Sequence, residues 1–427
     1  MHAPLNKHRC FRLPALAAAL AIASVSAHAA DAPARASIQP SLVRLATGAR
    51  CQFKVVLAPQ WLQPATVAEG VEWSINDKPG GDVTVGTIDS HGIYHAPAKV
   101  SLAREFHVCG KVKDAANVYV WATAIVGKGD IAYKQTAAWD ETVTEKPTGL
   151  AMPVGIATDR DGTLLIADGG TLYRYTMDGT FVERFGIKKE GDSSPVVGPR
   201  DVAVGLDGRI CVCDAQTGPP RVKVFNRAGE RVGGFGPKGI GPGQIMQSQG
   251  MTIDPEGKRL LVADSENMRL NLYSTDGALL GMWDKAGVMP GQFAEPYGVV
   301  IDRSGDVYVP NHYGPCQKFS AKGEYLFAFA EPDPPKGVVN ITAITGDRWG
   351  NVYLVVRDSA GIPLNSVNPE PKSVRIMKYN SSGDLVATIP LWDDERSENK
   401  MLVDEQDRLH VMFRRGSKVG MATLEPR

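Results

Sequence analysis

Between residues 36 and about 128 apolar and polar positions alternate with a period of two. The runs are Cys51 to Leu57, Val71 to Ile75, Phe106 to Cys109 and Val118 to Val126, each bounded by Gly, Pro or Asp. Side chains two apart on a strand share a face, so this spacing predicts short strands stacked as a β-sandwich. Near residue 150 alternation gives way to repetition. An apolar run, an Asp-x-x-Gly-like turn, a second apolar run ending in Asp or Asn and a third strand recur about every 45–50 residues, the period of propeller blades. The copies open at Met152, Gly198, Gly250, Pro296, Ile341 and Met401. A four-stranded sheet of this kind cannot bury both faces alone, and radial stacking of six copies buries them, which predicts a six-bladed β-propeller over 150–427. The sixth copy stops after its third strand. A strand from before the first blade must then close the ring, and Lys134–Val143 is the candidate, which makes 129–149 a linker and clasp.

The front of the chain reads as an address. Lys7, Arg9 and Arg12 precede an apolar run from Leu13 to Val25 and the small-x-small site Ala27-His28-Ala29, so residues 1–30 are expected to be a cleavable signal peptide. The run is too short to span a bilayer and no later one reaches the roughly 18 residues needed, which predicts an exported, periplasmic or secreted protein with no membrane span. Cys10 lies before the apolar run, the wrong place for lipidation. The remaining Cys51, Cys109, Cys211, Cys213 and Cys316 are an odd set, so at least one thiol stays unpaired. Among 427 residues, 47 Lys and Arg balance 47 Asp and Glu, which argues against nucleic acid as a partner and against an acidic disordered chain.

Glu72-Trp73-Ser74-Ile75, followed by Gly86-Thr-Ile-Asp-Ser-His-Gly-Ile-Tyr-His-Ala-Pro97, resembles the bacterial Ig-like domain family over residues 36–128. That resemblance places a Trp strand between two cysteines and implies a Cys51–Cys109 disulfide between sheets. Parity sets Cys109 opposite Phe106 and Val108 unless a bulge intervenes, so two separate buried thiols remain the alternative. The repeat "P-x-G-I-A-x-D…G-x-I-x-V-A-D…R-I-x-x-F…G" resembles the NHL-repeat family of six-bladed propellers and covers essentially all of 150–427. The fold class expected is therefore all-β, an Ig-like sandwich followed by a six-bladed β-propeller. The resemblance leaves function open, because this superfold hosts lyases, lactonases, RNA binders and scaffolds.

In such a propeller the first strand of each blade lines the central channel. The residue after the Pro position would ring its mouth: Val154, Arg200, Gln249, Tyr297, Thr342 and Lys400. Two cations with amide, phenol and hydroxyl groups and no carboxylate suit a ligand carrying an anionic group, whereas a plain water-filled channel is the bland alternative. The amidating-lyase branch of the NHL fold carries several zinc-binding His in this ring, and here none of the six is His. His312 stands alone where a catalytic zinc wants three protein ligands, so no metal and no cofactor is expected. Asp168, Asp214, Asp264 and Asn311, which end the second strand of four blades, are expected to cap the following turn. Cys211, Cys213 and Cys316 read as apolar packing. The insertion 357–372 in blade five is expected to form a partial lid over the mouth, or to be disordered, and the Gly/Pro-rich connection 234–244 lies where blades two and three meet.

Neither a c-type haem motif, a Gly-x-Ser-x-Gly elbow, a phosphate loop nor a paired-His zinc motif occurs. The function expected is that of an exported binding or scaffold protein without catalytic residues. Its channel-mouth face would hold a protein segment or envelope glycan through Arg200, Gln249, Tyr297, His312, Thr342 and Lys400. The alternative is an envelope hydrolase or lyase working at the same mouth.

Overall fold

The computed structural model describes residues 35–58, 64–113, 118–140, 150, 152–185, 196, 198–215, 220–312, 314–330, 339–358, 373–391, 400–415 and 418–427. The expected signal peptide lies outside them. All regular structure is β apart from turns and bends, and no helix among the described residues is long and apolar enough to cross a membrane.

Residues 35–126 form three small sheets around one core of Phe53, Val55, Trp73, Ile75, Tyr94, Val108 and Ala124. The largest sheet pairs Arg104–Val112 with Tyr119–Val126 on one side and Val71–Ile75 on the other. Parity governs its two faces. Phe106 and Val108 point into the sandwich core, while Cys109 points outward to Trp121 and to Trp349 of the propeller. Cys51 packs at the edge of the sandwich core, and both thiols are free. The Cys51–Cys109 disulfide implied by the Ig-like resemblance is therefore corrected: no bulge intervenes, and Cys51, in a different sheet, borders the sandwich core while Cys109 faces away from it.

Six four-stranded sheets follow, and their inner strands neighbour one another in a closed ring. Blades one to five occupy 153–185, 199–235, 248–284, 300–329 and 339–390. Blade six takes three strands from 401–426 and its outermost strand from Tyr133–Asp140, which pairs antiparallel with Lys418–Pro426. The closing strand thus overlaps the stretch expected for it and begins one residue earlier, and 141–143 lie outside the described residues. The strand pairings place Gly155, Asp201, Gly250, Gly298, Ala343 and Lys400 at one level of the six inner strands, the neck of the ring. A Cβ on Gly250 would lie 2.8 Å from the Gly298 Cα, and one on Gly155 would lie 2.8 Å from the Asp201 Cα, so only hydrogen fits where these backbones meet.

The N-terminal domain docks on one face of the ring. Residues 105, 107 and 109 alternate with 121, 123 and 125 on the outward side of its largest sheet, and they meet the turns of blades four and five. His107 stacks on Trp349 with ring centroids 4.6 Å apart, and Ile125 packs on Val386 and Ala387. Lys378 reaches Glu105 at 2.6 Å, with both side chains no more than 5% exposed. Ser304 Oγ donates to the Tyr119 carbonyl at 3.3 Å, and Asn380 Nδ2 donates to that of Ser41 at 3.0 Å. These contacts come from turns between first and second or third and fourth strands and from the strand ends beside them. They leave the opposite face, where each innermost strand begins, uncovered by the domain.

Candidate functional site

Four of the six ring positions share one local device. At Val154, Arg200, Gln249 and Thr342 the inner strand carries a β-bulge, with register shifts across Pro153/Gly155, Pro199/Asp201, Ser248/Gly250 and Ile341/Ala343. A bulge inserts one unpaired residue and re-aims its side chain, which is how a strand otherwise committed to alternation turns one residue toward the channel opening. Tyr297 is held instead by the isolated bridge Pro296↔Asn311 and by its N–H donating to the Pro310 carbonyl at 3.0 Å. Lys400 precedes the inner strand of blade six and its carbonyl accepts the Met412 N–H.

The structure gathers half of this ring. Tyr297, Thr342 and Lys400 line a channel cavity of about 260 Å³, whereas Arg200 and Gln249 are not among its lining residues, and Val154 packs into the apolar core between blades one and two. His312 joins the arc beside Tyr297, with ring centroids 5.1 Å apart, and its Nε2 lies 3.4 Å from Asn340 Nδ2. Burial pushes the His312 pKa below the usual imidazole value, with Glu295 partly offsetting it, so the ring is neutral at pH 7. Two buried atoms of this arc, Asn340 Oδ1 and Thr342 Oγ1, have no hydrogen-bond partner among the described residues. An unmade hydrogen bond on a buried polar atom costs about 1–3 kcal/mol, so such atoms call for an explanation in terms of a ligand or water.

The cavity also holds a carboxylate that sequence reasoning missed. Asp201 lines the channel one residue past the ring position. Its Oδ2 accepts the Met251 N–H of the next blade at 2.9 Å, and its Oδ1 accepts the Val202 N–H at 3.0 Å. Burial raises its pKa, and the charge of Lys400 works against that rise. The expected ring of cations without a carboxylate is therefore corrected: Lys400 is electrostatically engaged with Asp201. The available signal was alignment alone: Asp201 stands level with Gly155, Gly250, Gly298 and Ala343 and, in blade six, with Lys400, so the neck carries one acid and one base. Among the described residues no carboxylate lies within 4 Å of the Arg200 guanidinium or the Lys400 ammonium.

The residues that end the second strands also bond in a direction not expected of them. Asp168 accepts the Met152 N–H, Asp214 that of Gly198, Asp264 those of Met246 and Gln247, and Asn311 that of Ala294, at 3.0–3.2 Å. Each reaches back to the segment leading into its own inner strand and so anchors the rim of the mouth, and Asp264 also accepts from Asn267 Nδ2 in the turn ahead at 2.7 Å. Cys211 and Cys213 sit in the apolar core shared with blade three and Cys316 in that of blades four and five, with burial pushing the Cys211 thiol up to about 12. Among the described residues no group of three or more His, Cys, Asp or Glu is placed to hold a metal ion. The expected lid lies outside the described residues from 359 to 372.

No protein-family model and no curated protein matches the chain. Among solved structures, a structural-genomics protein of unknown function from Bacteroides thetaiotaomicron is similar over 93% of this chain and 99% of its own, with a TM-score of 0.50 and 13% identity. A streptogramin B lyase is matched over 69% of this chain and 98% of its own, with a TM-score of 0.44 and 11% identity. The WD40 repeats of RRP9 are matched over 69% and 100%, with a TM-score of 0.46 and 10% identity. At such identities the likeness is one of fold: the chain is a β-propeller protein whose structural neighbours have mixed functions.

Proposed function

We propose that this is an exported binding protein, an NHL-type propeller carrying a bacterial Ig-like module, whose open mouth face holds a segment of a partner protein. The observation that carries this reading is the pair of orphaned buried acceptors, Asn340 Oδ1 and Thr342 Oγ1, beside Tyr297, His312 and Lys400 on the face that the N-terminal domain leaves free. The cavity of about 260 Å³ falls below the range of about 300–1,000 Å³ in which small-molecule pockets lie, so it accepts one inserted side chain or chain end better than an engulfed substrate or glycan. Arg200 at the rim supplies a cation for an acidic group on that segment.

Neutralising both cations in Arg200→Gln, Lys400→Gln tests the reading by affinity capture from envelope extracts. Capture lost with an unchanged circular-dichroism spectrum supports it, and capture unaltered by the double variant overturns it. The hydrolase or lyase alternative rests on the neutral His312 imidazole against Tyr297, the state a general base needs. It requires turnover that disappears in both Tyr297→Phe and His312→Ala.

A further inference from the structure

Two connections on the mouth face are built alike. Segments 236–245 and 285–293 lead from blade two to three and from blade three to four, and end in Pro242-Gly-Gln-Ile245 and Pro290-Gly-Gln-Phe293. In each the last residue is buried, Ile245 at 0% and Phe293 at 1% exposure, and bridges back to Lys238 or Ala286. The glutamine caps its own loop: Gln244 Oε1 accepts the Gly241 N–H at 2.8 Å and Gln292 Oε1 that of Met289 at 3.0 Å. Buried side chains from the adjoining blades fix both loops. Arg269 donates to the carbonyls of Ile240, Gly241 and Gln244 at 2.7–2.9 Å. Gln317 accepts the Gly291 N–H and donates to the Gln292 carbonyl, both at 2.7 Å.

What this scaffold holds in water is apolar: Ile240 is 77%, Val288 84% and Met289 63% exposed. A loop so firmly braced cannot fold these side chains back, and exposing them forgoes the stabilisation that burial would bring. Each tip also carries an exposed lysine, Lys238 or Lys285, and among the described residues no carboxylate lies within 4 Å of either ammonium. The tips are convex, so they enter a partner and do not receive one.

We propose that the mouth face docks on an anionic lipid surface through Ile240, Val288 and Met289, which enter the headgroup and acyl boundary while Lys238 and Lys285 stay at phosphate level. Apolar side chains flanked by basic ones are the composition of interfacial lipid contacts, and a bilayer, unlike a folded protein, accepts two separate convex tips without matching pockets. Exposed Glu266 and Glu295 on the same face keep the local charge low, so the apolar tips carry the binding and its salt dependence is shallow.

The test uses the full chain in a Cys10→Ser, Cys51→Ser background, with a polarity-sensitive fluorophore on Val288→Cys, and vesicles of phosphatidylcholine with and without phosphatidylglycerol. The label is expected to shift blue on vesicles, more so with phosphatidylglycerol, whereas a label on Leu206→Cys, on the opposite face, stays unchanged. This readout is separate from any partition of the apolar run 13–25. Ile240→Asp, Val288→Asp, Met289→Asp should lower the vesicle-bound fraction of the same chain by about tenfold or more, and Lys238→Glu, Lys285→Glu by a few-fold at low salt. A label at 288 that does not respond, or a triple variant that leaves an equally labelled tip elsewhere in the loops responding as before, overturns the proposal and assigns the tips to a protein surface.

Discussion

The two faces of the propeller are made from the same repeat and spend their polar groups differently. On the docked face, charge meets charge: Glu105 and Lys378 at 2.6 Å, Asp347 at 3.8 Å from the same ammonium, Asp77 between Arg303 and Arg348. Burial alone would favour a neutral Lys378 amine, but Glu105 and Asp347 hold it charged, while burial pushes His107 down to about 3 and leaves it neutral against Trp349. On the mouth face, the acids that end the second strands bind backbone N–H groups of the rim, two of them beside a buried cation (Asp214 with Lys223 at 2.5 Å, Asp264 with Arg269 at 3.4 Å), and among the described residues Asn340 Oδ1 and Thr342 Oγ1 are left with interactions to make. A repeat can therefore assign stability to one set of turns and recognition to the other without changing its strands.

The largest effect should come from the docked face. Lys378→Ala leaves Glu105 and Asp347 buried without their cation, and removing one partner of such a pair costs about 3–5 kcal/mol, to be read as a lower denaturation midpoint. A loss below about 1 kcal/mol would erase the contrast between the faces. At the neck that divides them, Gly250→Ala forces a methyl against the Gly298 Cα, and overpacking of this kind costs about 1–3 kcal/mol in the same unfolding measurement.

Smaller effects separate the two mouth cations. The folded-state pKa of Asp201 is raised, so its ionisation opposes folding, and stability falls as pH rises above the unfolded value near 4. Lys400→Gln removes the charge that restrains this rise. The decline in stability from about pH 4 upward is then expected to steepen, followed by unfolding at a series of pH values. Arg200→Gln should do nothing comparable and stay within about 0.5 kcal/mol of the parent at every pH, as surface substitutions do. Equal slopes in the two variants would mean that Lys400 and Asp201 do not communicate across the channel.

The blades were legible because each carries its own turn and its own pair of apolar runs, and the missing fourth strand of the last copy pointed to 134–143. The bulged ring positions of blades one, two, three and five could be aligned for the same reason, whereas Lys400 stands level with Asp201, one residue further along its strand. What escaped depends on neighbours far away in the chain. Cys109 obeys strand parity and faces Trp349, a partner no local pattern names. The run Tyr119–Val126 did hold a hint, since apolar residues occupy both of its faces, the mark of a strand buried on two sides. Asp201 was overlooked because attention fell on the bulged residue before it, and the backward reach of Asp168, Asp214 and Asp264 follows from how the rim segments cross the strand ends, which only the assembled blade displays.

The pairing of Tyr133–Asp140 with Lys418–Pro426 turns the ring into a latch whose two halves lie at opposite ends of the propeller sequence. Closing it demands that a very long intervening loop be brought together, an entropic cost met only once the blades between are in place. The strand directly follows the docked N-terminal domain, so tension applied to that domain would load this latch first. A chain shortened before residue 418 would keep five complete blades and the two inner strands of the sixth, leaving Leu409–Arg415 and Tyr133–Asp140 each with an unsatisfied edge, a ready site for pairing with another copy.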